Sequence, residues 1–190
     1  IHTPESGKIT TVNFLMKETA PRLTLIFCNT RNRVKTVTGK LNASGLTSAC
    51  IHGDLSQSQR NSIMRDFRAG KTPVLVATDV AARGIDVDNI DLVINYDVPD
   101  KPEYYVHRIG RTGRAGKGGC SITICSSKRE VNEIRQIAVA VKSEIKELPL
   151  PTASDLQSKN FEKARTEIEA RIQDETSPVF TEMINALIQK

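Results

Sequence analysis

Tryptophan is absent, and the chain holds only three Tyr and five Phe in 190 residues. Aromatic platforms for stacking bases are therefore not expected, and contact with a nucleic acid would run through its phosphate backbone. Cysteines stand at 28, 50, 120 and 125 without forming a C-x-x-C pair, and His2, His52 and His107 are too few to complete a zinc site. No metal site is expected. Cys28, Cys50 and Cys125 fall in or beside apolar runs, where a reduced cysteine acts as a small core residue. No apolar run approaches the ~20 residues of a membrane span. Ile1-His2-Thr3-Pro4-Glu5 has neither a charged nor an apolar leader region, so no secretory signal is visible. A chain opening on Ile reads as a fragment or processed piece, and a cytoplasmic location is expected.

What is present is basic: net charge is +5 and the isoelectric point about 9.1. That meets the rough threshold for a nucleic-acid-binding domain, although many basic proteins bind none. Apolar content of 38% and charged content of 26% suit a globular protein, and 190 residues hold one full domain plus an appendage.

Helical spacing marks Lys8 to Thr19, Arg31 to Ala43, a segment opening near Ser56 and closing at Gly70, Glu103 to Ile109, and Lys128 to Val141. Between them lie short apolar runs: 23–28, 48–52, 74–77, 92–96 and 121–125. Strands that are apolar throughout and alternate with helices predict an α/β fold, a parallel sheet covered on both faces. Ligands gather at the carboxyl ends of such strands. Thr30, Gly53, Thr78 and Asp79 all follow predicted strands, so they are expected to converge on one edge. The domain should run from 1 to 150, closed by Leu148-Pro149-Leu150-Pro151. A helical extension over 151–190 follows, opened by a capping-box pair, Ser154 and Gln157. Its last segment carries Phe180, Met183, Ile184, Leu187 and Ile188 as one apolar stripe, which must pack on something. Packing on its own domain, docking and homodimerisation through 154–190 are all open.

The most informative stretch is His107-Arg108-Ile109-Gly110-Arg111-Thr112-Gly113-Arg114-Ala115-Gly116, where arginines recur every third residue among glycines. A guanidinium is permanently charged and offers a planar fork of donors that fits phosphate oxygens. An arginine brought to a γ-phosphate stabilises the charge that builds up during phosphoryl transfer. An Arg/Gly-rich solvated loop is the alternative reading of the same residues.

Together with Ala77-Thr78-Asp79-Val80-Ala81-Ala82-Arg83-Gly84-Ile85-Asp86-Val87, this stretch resembles motifs V and VI of the DEAD-box RNA helicases. Ile26-Phe27-Cys28-Asn29-Thr30 resembles motif IV. His52-Gly53-Asp54 with Gln57-Ser58-Gln59-Arg60 resembles the family's Gly-Asp and Gln-x-x-Arg signatures. The resemblance covers about residues 8 to 145, and LPLPTASDLQSKNFEKARTEIEARI is similar to the segment after the core in the bacterial cold-shock, DeaD/CsdA-like branch. It implies a RecA-like fold of the P-loop NTPase type. Arg111 and Arg114 would be the catalytic fingers, and in the ATP site Asp86 would meet the ribose with Gly84 leaving room for it. His107 would couple to a partner domain. Thr30, Gly53, Gln57, Arg60 and Thr78 would hold RNA phosphates or sugars without reading sequence.

Two further absences bound this reading. Gly70-Lys71-Thr72 looks like the tail of a Walker A loop, but position 65 is Arg where that loop needs glycine. Nor is there an Asp-Glu-Ala-Asp tetrapeptide. ATP and Mg²⁺ would then be gripped mainly by an N-terminal RecA-like half, and this chain alone should be inactive. A non-catalytic RNA-binding or adaptor module is the alternative.

Overall fold

The computed structural model describes residues 1–82, 90–113 and 118–149. Gly84, Asp86, Arg114 and the extension over 151–190 lie outside the described residues.

The alternation read from the sequence is the alternation found. A 3-10 turn, Glu5–Gly7, leads into α1 (Lys8–Thr19), then β1 (Thr24–Phe27), α2 (Arg31–Ala43), β2 (Ser48–Ile51) and α3 (Gln57–Arg68). The remainder is β3 (Val74–Ala77), α4 (Asp79–Ala82), β4 (Leu92–Asn95), α5 (Pro102–Ile109), β5 (Cys120–Thr123) and α6 (Lys128–Ala140). Helix α4 was not expected from the sequence. The apolar runs at 23–28 and 92–96 are longer than the strands they contain, because their outer residues stay buried after the ladder ends.

Local chemistry sets the boundaries. The Thr30 hydroxyl accepts from Arg33 N–H and caps α2, and Ser127 caps α6 by accepting from Glu130 N–H. Ser56 and Gln59 form a reciprocal capping box at α3. Helix α5 opens on Pro102, whose fixed φ suits a first turn where no N–H is needed. Lys71 and Thr72 N–H groups donate to the Asp66 carbonyl, so Gly70-Lys71-Thr72 finishes α3 and presents no phosphate cradle.

All strand pairs are parallel, in the order β2-β3-β1-β4-β5. Alternate strand residues feed two cores. Ile26, Val74, Val76, Leu92 and Ile94 meet α1 and α2 through Val12, Leu15, Val34, Val37 and Leu41. Leu25, Phe27, Leu75 and Val93 meet Met64 and Phe67 of α3 and Ala81 and Ala82 of α4. Because β1 is flanked by β3 and β4 while its chain crosses to β2, the loops after β1 and β4 diverge. They open a crevice at the carboxyl end of the sheet, the switch point at which open α/β sheets bind ligands.

Candidate functional site

Arg108 fills that crevice. It is fully buried, and its side chain makes four short polar contacts. Nε lies 2.7 Å from Asp79 Oδ1 and Nη2 2.7 Å from Asp79 Oδ2, a bidentate pair. Nη1 donates to the Asp97 carbonyl and Nη2 to Asn29 Oδ1, each at 2.8 Å. The guanidinium stands 5.2 Å from the centre of the Phe27 ring. Asn29 is itself fixed: its amide donates to the Val98 carbonyl at 2.9 Å and to Asp100 Oδ1 at 3.0 Å, and its backbone N–H to Asp97 Oδ2. One arginine of the sequence cluster is thus a structural bolt joining the segments after β1, β3 and β4.

A second buried cation supports the bolt from below. Lys8 Nζ donates to the Tyr96 carbonyl at 2.8 Å and lies 3.5 Å from Glu5, 3.8 Å from Glu130 and 4.0 Å from Asp97. Arg33 Nε pairs with Asp97 Oδ1 at 3.2 Å, and its Nη2 pairs with Glu5. The Tyr96 phenol, desolvated and close to the Glu5 carboxylate, is pushed up to about 12. Burial also drives the Cys28 thiol far above its ordinary range, so this cysteine is an inert core residue.

Above Arg108 and Phe27 a cleft of about 200 Å³ opens. Asp79 and Ala82 form one side of it, and α5 forms the other with Tyr104, His107 and Arg111. Tyr104 and His107 lie at i and i+3 on one face of α5, and Arg111 stands two residues beyond the helix end. Tyr105 and Arg108 occupy the neighbouring, buried face. The sequence cluster is thereby sorted: α5 turns Arg108 inward and His107 to the cleft, and Arg111 lines the cleft from just past the helix end. Gly113, at φ 70°, turns the chain just beyond. Thr112 Oγ1 donates to the Ile90 carbonyl, and a Cβ on Gly119 would lie 2.2 Å from that hydroxyl, so the return strand passes only as glycine.

The other predicted site residues gather at the carboxyl ends of β1, β2 and β3, as the parallel pattern required. Thr30 and Gly53 are exposed there. Gln57 is exposed on the first turn of α3 and donates to Asn61 Oδ1 at 2.9 Å. Arg60 Nη2 donates to the Ala81 carbonyl, tying α3 to α4. Thr78 is buried, and its hydroxyl accepts from Ala81 N–H at 3.4 Å, capping α4. Asp54 pairs with Arg31 and, at 3.8 Å, with Lys35, bridging α2 to the loop after β2. Sequence reasoning placed Asp79 at this edge but gave it no role, and it missed Asn29 and Tyr104 as site components and the inward role of Arg108. The signal was available in part: Tyr105 and Arg108 share a helical face, which marks that face as the buried one.

The cleft offers cationic and neutral donors over a buried ion pair, which suits an anionic, phosphate-like group. Its one carboxylate is already engaged by Arg108, and among the described residues no cluster of three His, Cys, Asp or Glu could hold a metal.

This fold and site define a class. The profile of the helicase conserved C-terminal domain matches residues 7–116, and the chain belongs to that family. Its homology is to DEAD-box RNA helicases. The ATP-dependent RNA helicase CshA of Listeria monocytogenes is 39% identical over 98% of this chain and 36% of that protein. Among solved structures, a DEAD box protein from Methanococcus jannaschii superposes with a TM-score of 0.71 at 43% identity, covering 78% of this chain and 40% of that one. Dbp5 of S. cerevisiae, bound to RNA and ADP BeF3, gives 0.73 at 31% identity over 86% of this chain and 43% of its own. The chain thus spans little more than a third of the length of the curated relatives it matches. The parallel sheet with covering helices is that of the RecA-like C-terminal domains of these proteins.

Proposed function

We propose that this chain is the finger-bearing half of an ATP-dependent RNA helicase, completed by an N-terminal RecA-like half. The observation that supports the reading is the cleft beside α5, lined by both Arg111 and His107 above the locked Arg108–Asp79 pair. A preorganised guanidinium stabilises charge on a transferring phosphoryl group without reorganising as the reaction proceeds. Arg111 and Arg114 are assigned as the fingers, Asp86 to the ribose with Gly84 leaving room for it, and His107 to coupling with the preceding half. ATP and Mg²⁺ are assigned mainly to that half, the metal neutralising phosphate charge when bound.

RNA would lie along the edge formed by Thr30, Gly53, Gln57, Arg60 and Thr78. Hydroxyl, amide and guanidinium donors there suit phosphates and sugars, contacts that position a strand without reading its sequence. The ties from Arg60 to α4 and from Thr30 to α2 hold these groups on rigid elements.

The test is RNA-stimulated ATP hydrolysis by the full reading frame containing this chain, beside its Arg111→Ala variant. Loss of a finger is expected to lower turnover about 10³- to 10⁵-fold, or roughly 4–7 kcal/mol. If the parent binds RNA but hydrolyses nothing, the catalytic reading fails and a non-catalytic RNA-binding module replaces it.

A further inference from the structure

Tyr104 and Tyr105 are adjacent in sequence and opposite in circumstance. Tyr105 is 6% exposed, packs with Val98, Cys125, Ile134 and Ile137, and hydrogen-bonds Ser143. Tyr104 is half-buried and lines the cleft, one turn from His107, with Arg111 beyond the helix end. Among the described residues neither the Tyr104 hydroxyl nor the His107 ring has a hydrogen-bond partner. Both residues line the cleft, and a phenol O–H can both donate and accept. Two polar groups on one face of α5 and a guanidinium just beyond its end thus line a space of about 200 Å³. Its remaining charges, on Arg108 and Asp79, already satisfy each other.

We propose that Tyr104 is a third ligand-contacting residue of this cleft, its hydroxyl donating to the terminal phosphate of the bound nucleoside triphosphate alongside Arg111. The inference rests on the helicase reading above. The concavity favours a compact anionic group, because a flat protein face would leave the cleft unfilled. A phenol donor on the first turn of α5 is rigid, needing only its two side-chain torsions fixed, and adds direction to a contact that charge alone would leave loose.

The experiment uses the full reading frame with three variants: Tyr104→Phe, Tyr104→Ala and Arg111→Ala. Removing only the hydroxyl forfeits a hydrogen bond to a charged acceptor, so Tyr104→Phe should lower kcat/KM for ATP by about 10- to 100-fold. Melting temperature and RNA affinity should not change. Binding of a non-hydrolysable ATP analogue should weaken while ADP binding is unaltered, since ADP lacks the terminal phosphate. A Tyr104→Phe enzyme within threefold of wild type overturns the proposal, as does equal weakening of ADP and ATP analogue or a loss confined to RNA affinity. Should Tyr104→Ala alone be impaired, the ring packs and the hydroxyl contacts nothing, which also overturns it. An inactive wild type, or an unaffected Arg111→Ala, strikes the helicase reading itself and is thereby distinguished from failure at Tyr104.

Discussion

Asp79→Ala is the substitution that most directly tests how the site is held. It removes the bidentate partner of a fully buried guanidinium. Arg108 would keep two neutral acceptors, the Asp97 carbonyl and Asn29 Oδ1, and the face of Phe27. None of these cancels its charge, and the guanidinium cannot deprotonate to escape burial. Breaking a buried pair by deleting one partner costs about 3–5 kcal/mol. Asp79 retains 17% side-chain exposure, so water can partly enter the vacated space and the lower end, about 3 kcal/mol, is expected. Urea unfolding of the chain, followed by circular dichroism, should show the midpoint falling by about 1.5 M if the slope is about 2 kcal/mol per M. Adding Arg108→Met to the same chain removes the stranded charge, so the double variant should be more stable than Asp79→Ala by at least ~1 kcal/mol. A midpoint shift worth less than about 1 kcal/mol, or strict additivity in the cycle, would refute the claim that this pair is the bolt of the crevice.

Two other outcomes follow from the buried groups. The Tyr96 phenol is held at about 12 in the fold against ~10 for an unfolded tyrosine, so the unfolded chain loses its proton first. Stability from this group is therefore complete below about pH 10 and lost as pH rises to about 12; phenolate absorbance of Tyr96→Phe should lack the latest-titrating component, and an unchanged titration would contradict the assignment. Desolvation pushes up the thiols of Cys28, Cys120 and Cys125 alike, but Cys120 is exposed while Cys28 and Cys125 are buried, so access ranks them. A thiol reagent at pH 8 should modify Cys120 first and reach Cys28 only on unfolding; a fast phase that survives Cys120→Ser would show the exposure ranking to be wrong.

Most element spans were legible in the sequence because apolar spacing records which face each segment buries. The expected helices at Lys8 to Thr19 and Arg31 to Ala43, and the strand at 74–77, coincide with those observed. Boundaries drifted by a residue or two where burial outlasts the hydrogen-bond ladder, as at Tyr96. Helix α4 escaped notice because four residues after a strand give no periodicity to read. Its cap, Thr78, had been singled out for its place after a strand and its match to an RNA-contacting position, not as a cap.

By itself, then, the sequence determined the parallel α/β architecture, the family, and the edge of the sheet where the motif residues meet. These depend on short-range spacing and on residue types that one strand or helix displays. Only the tertiary structure decided which arginine is bolt and which faces the cleft, and that Lys8 is a buried cation. Arg108 finds Asp79 and Asn29 at 29 and 79 residues' separation, and Lys8 finds the Tyr96 carbonyl 88 residues away. Such pairings depend on strand order, β2-β3-β1-β4-β5, which places the loops after β1, β3 and β4 around one crevice. A charged side chain is stable in the interior only when those distant partners arrive together.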